Sequence, residues 1–454
     1  MSTSSQGAAA HLQRLVGEGN LDSVLQRLKP QHHPLPARFT GATSLSRASV
    51  EQRWGILAAA PASPERSTTI AAARAVLDPA SAANVSGAAD ASASVHSNLA
   101  PYARNIEYAV GTVQLPIGIA GPLRINGSCT AGDFYVPLAT TEAALVASYQ
   151  RGAMLISEAG GCAAALLAEG VTRAPGLVFE TVAQAGAFIA WAVTQEEAFA
   201  VVAASTTRHG RLTRTRMTVE GNHVYLSFEY LTGDAAGQNM VTLATDAICD
   251  YIVRCAPIKP RRIFVEANLS GDKKACTQSF QSVRGKKVCA EVIVPDELIR
   301  KRLHTTAADI AEYWAMTVLG GVISGTIGVQ GHYANGLAAL FIATGQDAAC
   351  VSEAAVGITR FQLQGDGSLY ACVTLPNLIV GTVGGGTGLP TQAACLDILG
   401  LRGAGHARSL AEVAAALALA GELSIVGALS AGEFAQAHRK LARRAPAPST
   451  PSAA

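Results

Sequence analysis

Charge, aromatic side chains and paired cysteines are all scarce in this chain. Asp, Glu, Lys and Arg make up 15% of the 454 residues, and Phe, Trp and Tyr only 5%. Lys+Arg at 35 against Asp+Glu at 33 leaves a formal net charge of +2, which provides no broad basic field for nucleic acid. The nine cysteines are scattered and no CxxC occurs, which argues against a zinc ribbon and a redox dithiol, so no metal is expected. An odd number of cysteines in a chain this long is not a disulfide scaffold. Small buried thiols in a reducing compartment fit better. No basic start leads into an apolar core at the N-terminus, and no run of 18 apolar residues exists. A soluble, cytoplasmic protein with no membrane partner is therefore expected. The nearest apolar stretches, 314–329 and 413–420 (the latter between Glu412 and Glu422), read as buried helices.

What is abundant is hydrophobic residues, at 49%, and glycine, at 44 residues. A sizeable core with close backbone packing follows. Residues 1–95 read as an N-terminal arm or small helical region, partly disordered, with helical patterns near 8–28 and 49–57 amid Pro, Ser and Ala. Residues 444–454 read as a disordered tail. Between them, 113–125 (VQLPIGIAGPLRI) reads as strand and turn. The stretch 140–160 reads as a helix that Thr140 or Thr141 could cap. Residues 176–265 change texture. LVFETV, AFAVVAAS, RLTRTRMTVEG, HVYLSFEYL and RIFVEANL read as strands, with helices at 183–193 and 237–255 between them. Helices follow at 296–303, 307–319, 333–345 and 423–443. The chain thus reads as α+β, with an α+β insert at 176–265.

Four segments place polar residues in apolar or Gly-rich surroundings. Glu142, amid Ala, Leu and Val, is expected to be partly desolvated, hence a proton donor, or else a carboxylate at a helix start. Asp272, Lys273 and Lys274 lie in a tight turn after a strand, either an oxyanion-stabilising group or a solvated charged turn. Asp347 follows a mostly apolar stretch and needs a partner; Lys273 would serve and would join Glu142 in one network. Upstream of it, His332 and Asn335 are spaced to share a helix face. His438 is set among Arg439, Lys440, Arg443 and Arg444, which favour neutral imidazole. His332 and His438 each read equally as structural or surface histidines. Two Gly-rich segments, 234–239 and 381–387, suit phosphates or close cofactor approach, but neither is GxGxxG or a P-loop.

Taken in order, ATTEAALVAS, TGDAAGQNM, DKK, ATGQDAA, GTVGGGT and a histidine near the C-terminus, with IGIAGPL at 117–123, resemble 3-hydroxy-3-methylglutaryl-coenzyme A (HMG-CoA) reductase. The resemblance runs from about 100 to 443 and is nearest the class I catalytic portion, without a membrane anchor. It implies a large helix-rich acyl-CoA domain (96–175 and 266–443) and an inserted ferredoxin-like NADP(H) domain (176–265). It also implies a homodimer or homotetramer with active sites at the dimer interface. It assigns Glu142 as catalytic glutamate, Lys273 as oxyanion lysine, Asp347 as their link and His438 as the acid for the leaving thiolate. Arg173, Asn268, Asp272, Lys274, His332 and Asn335 fall at substrate positions. Thr207, Arg208, Asp234, Gly237, Asn239, Gly384, Gly385 and Gly386 fall at the dinucleotide site, Arg208 suiting the 2′-phosphate of NADPH over NADH. The implied activity is NADPH-dependent reduction of HMG-CoA to mevalonate and free coenzyme A, in isoprenoid synthesis. Two departures stand out. Tyr108 replaces an asparagine of ENVIG, and Glu266-Ala-Asn replaces Ser-Gly-Asn, where an acidic side chain could repel a glutaryl carboxylate. Reduction of a different acyl thioester, or a silent homologue acting as a binding protein, is the alternative.

Overall fold

The computed structural model describes residues 37–59, 64–77 and 100–435. The helix read at 8–28, the tail at 444–454 and His438 lie outside the described residues. The chain separates into two compact units, Met1–Val113 and Gln114–Ala454.

The first unit contains helices α1 (Arg47–Ala59) and α2 (Pro64–Leu77). Val50 and Trp54, one turn apart on α1, are buried against Leu57, Ile70, Leu77 and Val110. Arg53 beside them is fully buried and donates to the carbonyls of Ala109 (2.7 Å) and Ser44 (2.7 Å). Tyr108 adopts φ 50, a left-handed conformation in which asparagine is far more comfortable.

The second unit is built on a mostly antiparallel sheet. Its strands are β1 (Ile117–Gly127), β2 (Ala131–Ala139), β3 (Cys162–Arg173), β4 (Gly176–Val178), β5 (Arg211–Glu220), β6 (His223–Leu231), β7 (Arg262–Phe264), β8 (Gly285–Val294), β9 (Ile358–Leu363) and β10 (Leu369–Leu378). They lie in the order β7-β4-β6-β3-β8-β10-β9, with β1 beside β2 and β3, and β5 beside β6. The long strand β3 is the joint. Its residues 163–170 pair with β8, and Val171, Thr172 and Arg173 pair with β6. The helices are α3 (Leu145–Glu158), α4 (Val182–Ala192), α5 (Glu196–Ser205), α6 (Gln238–Cys255), α7 (Asp296–Leu303), α8 (Ala307–Ser324), α9 (Tyr333–Thr344), α10 (Val351–Ala354), α11 (Pro390–Leu399) and α12 (Ala407–Ser430). The α+β class stands.

Two main hydrophobic cores result, with a small satellite of Ala139, Ala343 and Cys395. The smaller gathers Phe179, Phe188, Phe199, Phe228 and Ile248 from β4 to α6. The larger surrounds α12, whose side chains are buried along nearly its whole length. By length and composition Ala407–Ser430 and Val182–Ser205 could each cross a membrane, but 83% of the first window is buried inside the protein. The second is broken by a 3₁₀ turn at Val193–Gln195.

Several sequence readings need correction. The last helix begins at Ala407 instead of 423, because Glu412 and Glu422 do not end it. Both are fully buried and paired: Glu412 accepts from Ser128 Oγ and from the Cys129 and Thr130 amides. AFAVVAAS is helix α5, not a strand. Its Val pair misleads, whereas Phe199 and Ala203, four apart, form the buried stripe and Val201 is 71% exposed. The 314–329 stretch is not a buried helix either. Met316, Leu319, Val322 and Ile323 on α8 are each at least 64% exposed. Helix α3 starts at Leu145 after Ala144 in the left-handed region, with no side-chain cap; Thr140 Oγ1 instead accepts from the Glu142 amide at 3.0 Å.

Candidate active site

The turn after β7 carries Lys273 on an unusual backbone. Lys273 and Asn268 take φ 55 and φ 65, a conformation that asparagine visits readily but that costs a lysine roughly 1–2 kcal/mol. Each is held by a carboxylate. Asn268 N donates to Glu266 Oε1 at 2.7 Å, and Lys273 N to Glu353 Oε1 at 3.2 Å. The Lys273 ammonium meets Asp347 Oδ2 at 2.8 Å. That hydrogen bond is the main reason the lysine is held above its ordinary pKa. Asp347 is itself oriented, its Oδ1 accepting from Ala349 N at 3.0 Å.

Beneath this pair is a buried ion network that linear reading missed. Arg284 reaches Asp272 Oδ1 at 2.5 Å and Glu353 Oε2 at 2.6 Å, and donates to Thr172 O at 2.6 Å and Gln238 Oε1 at 2.9 Å. Arg173 bonds Asp272 Oδ2 at 2.9 Å and Glu266 Oε2 at 3.3 Å. Burial alone would push both carboxyls up. At Asp272, Arg284 and Arg173 more than offset it and the carboxyl is held below its usual range. At Glu353 burial wins and the carboxyl is raised. Nothing in the linear sequence singles out Arg284, in the run Val283-Arg284-Gly285-Lys286-Lys287, or Glu353, after Ser352. Lys274 is exposed and donates to Asp272 O at 2.9 Å.

The two Gly-rich segments meet at this end. Asp234 O accepts from the Thr382 and Val383 amides, and Gln346 exchanges hydrogen bonds with Gly381 in both directions at 2.9 Å. The Asp234 carboxylate accepts from Gly405 N (2.8 Å) and Ala407 N (3.1 Å), which fixes it to the start of α12. Gly237, in the left-handed region, precedes α6 with no side chain capping the helix; Asn239 in its first turn is exposed. Thr207 Oγ1 touches Met240 Sδ at 2.9 Å, which brings the Thr207–Arg208 turn beside that helix start, with Arg208 exposed. Gly384 and Gly385 face open space where a Cβ would stand, whereas a Cβ on Gly386 would press on Gly345. An uncapped helix N-terminus, bare glycine backbone and an exposed arginine suit a dinucleotide phosphate. A cleft of about 510 Å³ next to Asp234 is lined by His209, Arg211, Lys286 and Arg408.

The second half of the site lies at the other end of α9. A cleft of about 540 Å³ there is lined by Glu142, Tyr149, His332, Asn335 and Phe434, among others. Asn335 Nδ2 donates to both Glu142 oxygens, at 3.2 and 3.1 Å. Glu142 is exposed in this chain, contrary to the expected desolvation, because the 140–144 loop stands clear of the core. His332 is the residue before α9, not within it, so it does not share a helix face with Asn335. Its ring stacks on Tyr149 at 5.4 Å, and its amide donates to the fully buried Glu422 at 2.8 Å.

Lys273 is thus joined to Asp347, and Glu142 to Asn335, but the two pairs are not joined to each other. Helix α9 lies between them, and its 12 residues span about 18 Å. The single Glu142–Lys273–Asp347 network expected from sequence is not formed within one chain.

The comparisons with known proteins bear on this arrangement. A family model for hydroxymethylglutaryl-coenzyme A reductase matches residues 69–443. The 3-hydroxy-3-methylglutaryl-coenzyme A reductase of Aeropyrum pernix is 45% identical over 348 residues, 75% of this chain and 82% of that protein. Its counterpart in Methanothermobacter thermautotrophicus is 42% identical over 342 residues, 75% and 85% of the two chains. The class II enzyme of Streptococcus pneumoniae, solved bound to NADPH in open conformations, matches at TM-score 0.58 and 20% identity over 84% of this chain and 96% of that one, a likeness of fold. With the family match spanning Glu142, Lys273 and Asp347 alike, the chain belongs to the hydroxymethylglutaryl-coenzyme A reductase family and is an oxidoreductase.

Proposed function

We propose that the chain reduces HMG-CoA with NADPH to mevalonate and free coenzyme A, in the mevalonate route to isoprenoids. The observation that carries the reading is the Lys273–Asp347 pair at 2.8 Å on a pinned backbone, at the family's motif positions. NADPH, when bound, would supply the hydride for each of two reductions, and Thr207, Arg208, Asp234, Gly237, Asn239 and Gly384 to Gly386 would hold it. Reduction of the thioester, through a hemithioacetal and then mevaldehyde, twice builds negative charge on one oxygen. Lys273, kept cationic by Asp347, stabilises that charge, and a donor of this kind contributes roughly 3 kcal/mol to the transition state. Glu142 supplies a proton from the second half-site, and His438 protonates the departing thiolate. Arg173, Asn268, Asp272, Lys274 and His332 line the acyl group's approach.

A homodimer, or a tetramer of such dimers, completes the site by bringing Glu142 of one copy to Lys273 of another. Two observations support this: the half-sites lie apart in one chain, and α8 exposes Met316, Leu319, Val322 and Ile323. A cytoplasmic setting fits the nine free cysteines.

The test is a spectrophotometric assay with HMG-CoA and NADPH, and NADH in parallel. Two NADPH consumed per coenzyme A released support the four-electron reaction. No oxidation of either cofactor by the folded protein, at a background that Lys273→Ala leaves unchanged, favours a silent binding protein. A second reading has one specific observation behind it. Glu266 already places a carboxylate 3.3 Å from Arg173, where a glutaryl carboxylate would bind. If a different acyl thioester is the substrate, Glu266→Ser raises activity on HMG-CoA; an unchanged KM and kcat set that reading aside.

A further inference from the structure

Strands β8 and β10 run side by side, and their side chains alternate between two faces. Val288, Ala290 and Val292, with Leu369, Ala371 and Val373, are buried in the large core. Cys289, Glu291, Tyr370 and Cys372 alternate with them and share the opposite face. The register sets Cys372 across from Glu291 and Cys289 across from Thr374, so the two thiols are diagonal neighbours. Their sulfurs are 3.4 Å apart. One ligand atom from each of Cys289, Glu291 and Cys372 lies within 4.8 Å of the other two. Tyr370 OH donates to Glu291 Oε2 at 2.5 Å, and the Arg360 guanidinium stacks over the Tyr370 ring at 4.8 Å.

We propose that Cys289, Cys372 and Glu291 bind one thiophilic divalent cation of the zinc type, with Tyr370 orienting the carboxylate and a water completing the tetrahedron. The geometry favours a bridging ion over a direct disulfide. Diagonal residues on paired antiparallel strands have Cα atoms about 7–8 Å apart, beyond the roughly 4.4–6.8 Å that a disulfide tolerates. Two sulfurs on one tetrahedral zinc, at about 2.3 Å each, stand roughly 3.8 Å apart, a small opening from 3.4 Å. The donors suit the ion, since two thiolates and a carboxylate select a borderline-soft metal. Binding releases the two thiol protons. The site then carries three negative charges against two positive, and Arg360, paired with Cys372 across β9 and β10, balances the remainder. The phenol–carboxylate bond is the outer-shell support that metal-binding side chains need. Linear spacing hid the site because its cysteines are 83 residues apart.

The test uses the full chain, reduced, stripped with a chelator and titrated with cobalt(II). One equivalent is expected to give a thiolate-to-cobalt charge-transfer band in the near ultraviolet, which zinc displaces. Cys289→Ser and Cys372→Ser each abolish the band while keeping the circular dichroism of the parent. Cys129→Ser and Cys255→Ser, which alter exposed cysteines elsewhere, retain it. Tyr370→Phe weakens cobalt binding about 10–100-fold. No band from the folded chain, or a band that survives in both site variants, overturns the proposal. So does the loss of two thiols to glutathione disulfide, blocked by Cys372→Ser, in a chain that binds no cobalt; the pair is then a redox couple.

Discussion

The two ends of α9 are built on opposite plans. At the Lys273 end, left-handed backbone is tied to carboxylates, and Arg284 and Glu353 lie buried at 4% and 0% exposure beneath it. At the Glu142 end, an exposed carboxylate rests on one amide side chain, beside a helix that starts without a cap. On the proposed mechanism the difference follows from the work each end is given. A charge that stabilises an oxyanion must be fixed before the charge develops, since a group that reorients during reaction gives up part of its benefit. A proton donor needs reach and a proton source more than rigidity. The fixed end is therefore held by contacts within one chain, and on the proposed dimeric reading the open end is left for another copy to meet.

The contrast breaks most visibly at Arg284. Arg284→Met leaves Glu353 buried without its cation and Asp272 with Arg173 alone, a loss of about 3–5 kcal/mol. Denaturant unfolding checks this, and Glu353→Gln alone should cost less because the raised carboxyl gives up its charge more readily. A loss under 1 kcal/mol for Arg284→Met would mean that the network does not hold the turn. Next in size is Lys273→Ala, expected to lower kcat about 100- to 1000-fold with little change in KM. Mixing Glu142→Ala with Lys273→Ala sharpens the comparison directly. Each chain brings the half-site the other lacks, so random re-pairing restores about a quarter of parental activity in a twofold assembly. No recovery, in a mixture shown to exchange subunits, would place both halves of the site on one chain.

How far the sequence anticipated these two ends depends on range. Asp347 announced its need for a partner because it follows an apolar stretch. The Gly-rich segments announced themselves by composition. Arg284 and Glu353 did not: Arg284 precedes β8 in a basic stretch and Glu353 lies in the short helix α10, and only the approach of these two distant segments makes them a pair. Glu412 and Glu422 misled for the same reason. A glutamate in a helix pattern ordinarily marks the solvent side, and both are instead buried against amides contributed by distant loops. Glu142 misled in the other direction. Apolar neighbours in sequence implied burial, but the 140–144 loop turns its side chain out. Local pattern set the elements; partners far apart in the chain set the electrostatics.

The pH dependence follows from the Lys273 end. Asp347 holds the lysine above its ordinary pKa. The ion pair's contribution is thus fully present below the unfolded lysine pKa and is lost as pH rises through the folded one. Asp347→Asn removes the carboxylate, so the alkaline limb of the kcat profile moves to lower pH; an unmoved limb would mean that Lys273 is not the titrating group. Asp272 behaves oppositely. Its carboxyl is held low by Arg284 and Arg173, so its contribution is present above the ordinary carboxylate pKa and fades as pH falls through the depressed value.

The smallest effect is expected at the open end. Asn335→Ala removes the amide that donates to both Glu142 oxygens. The carboxylate is exposed, so water replaces the lost donor and no buried charge is stranded. The change should cost about 1 kcal/mol, or fivefold in kcat, with stability unaffected. A loss as large as that of Lys273→Ala would show that Glu142 is as tightly positioned as the lysine in the assembled enzyme. The second copy would then do for Glu142 what Arg284 and Glu353 do for Lys273, and the asymmetry between the ends of α9 would belong to the isolated chain alone.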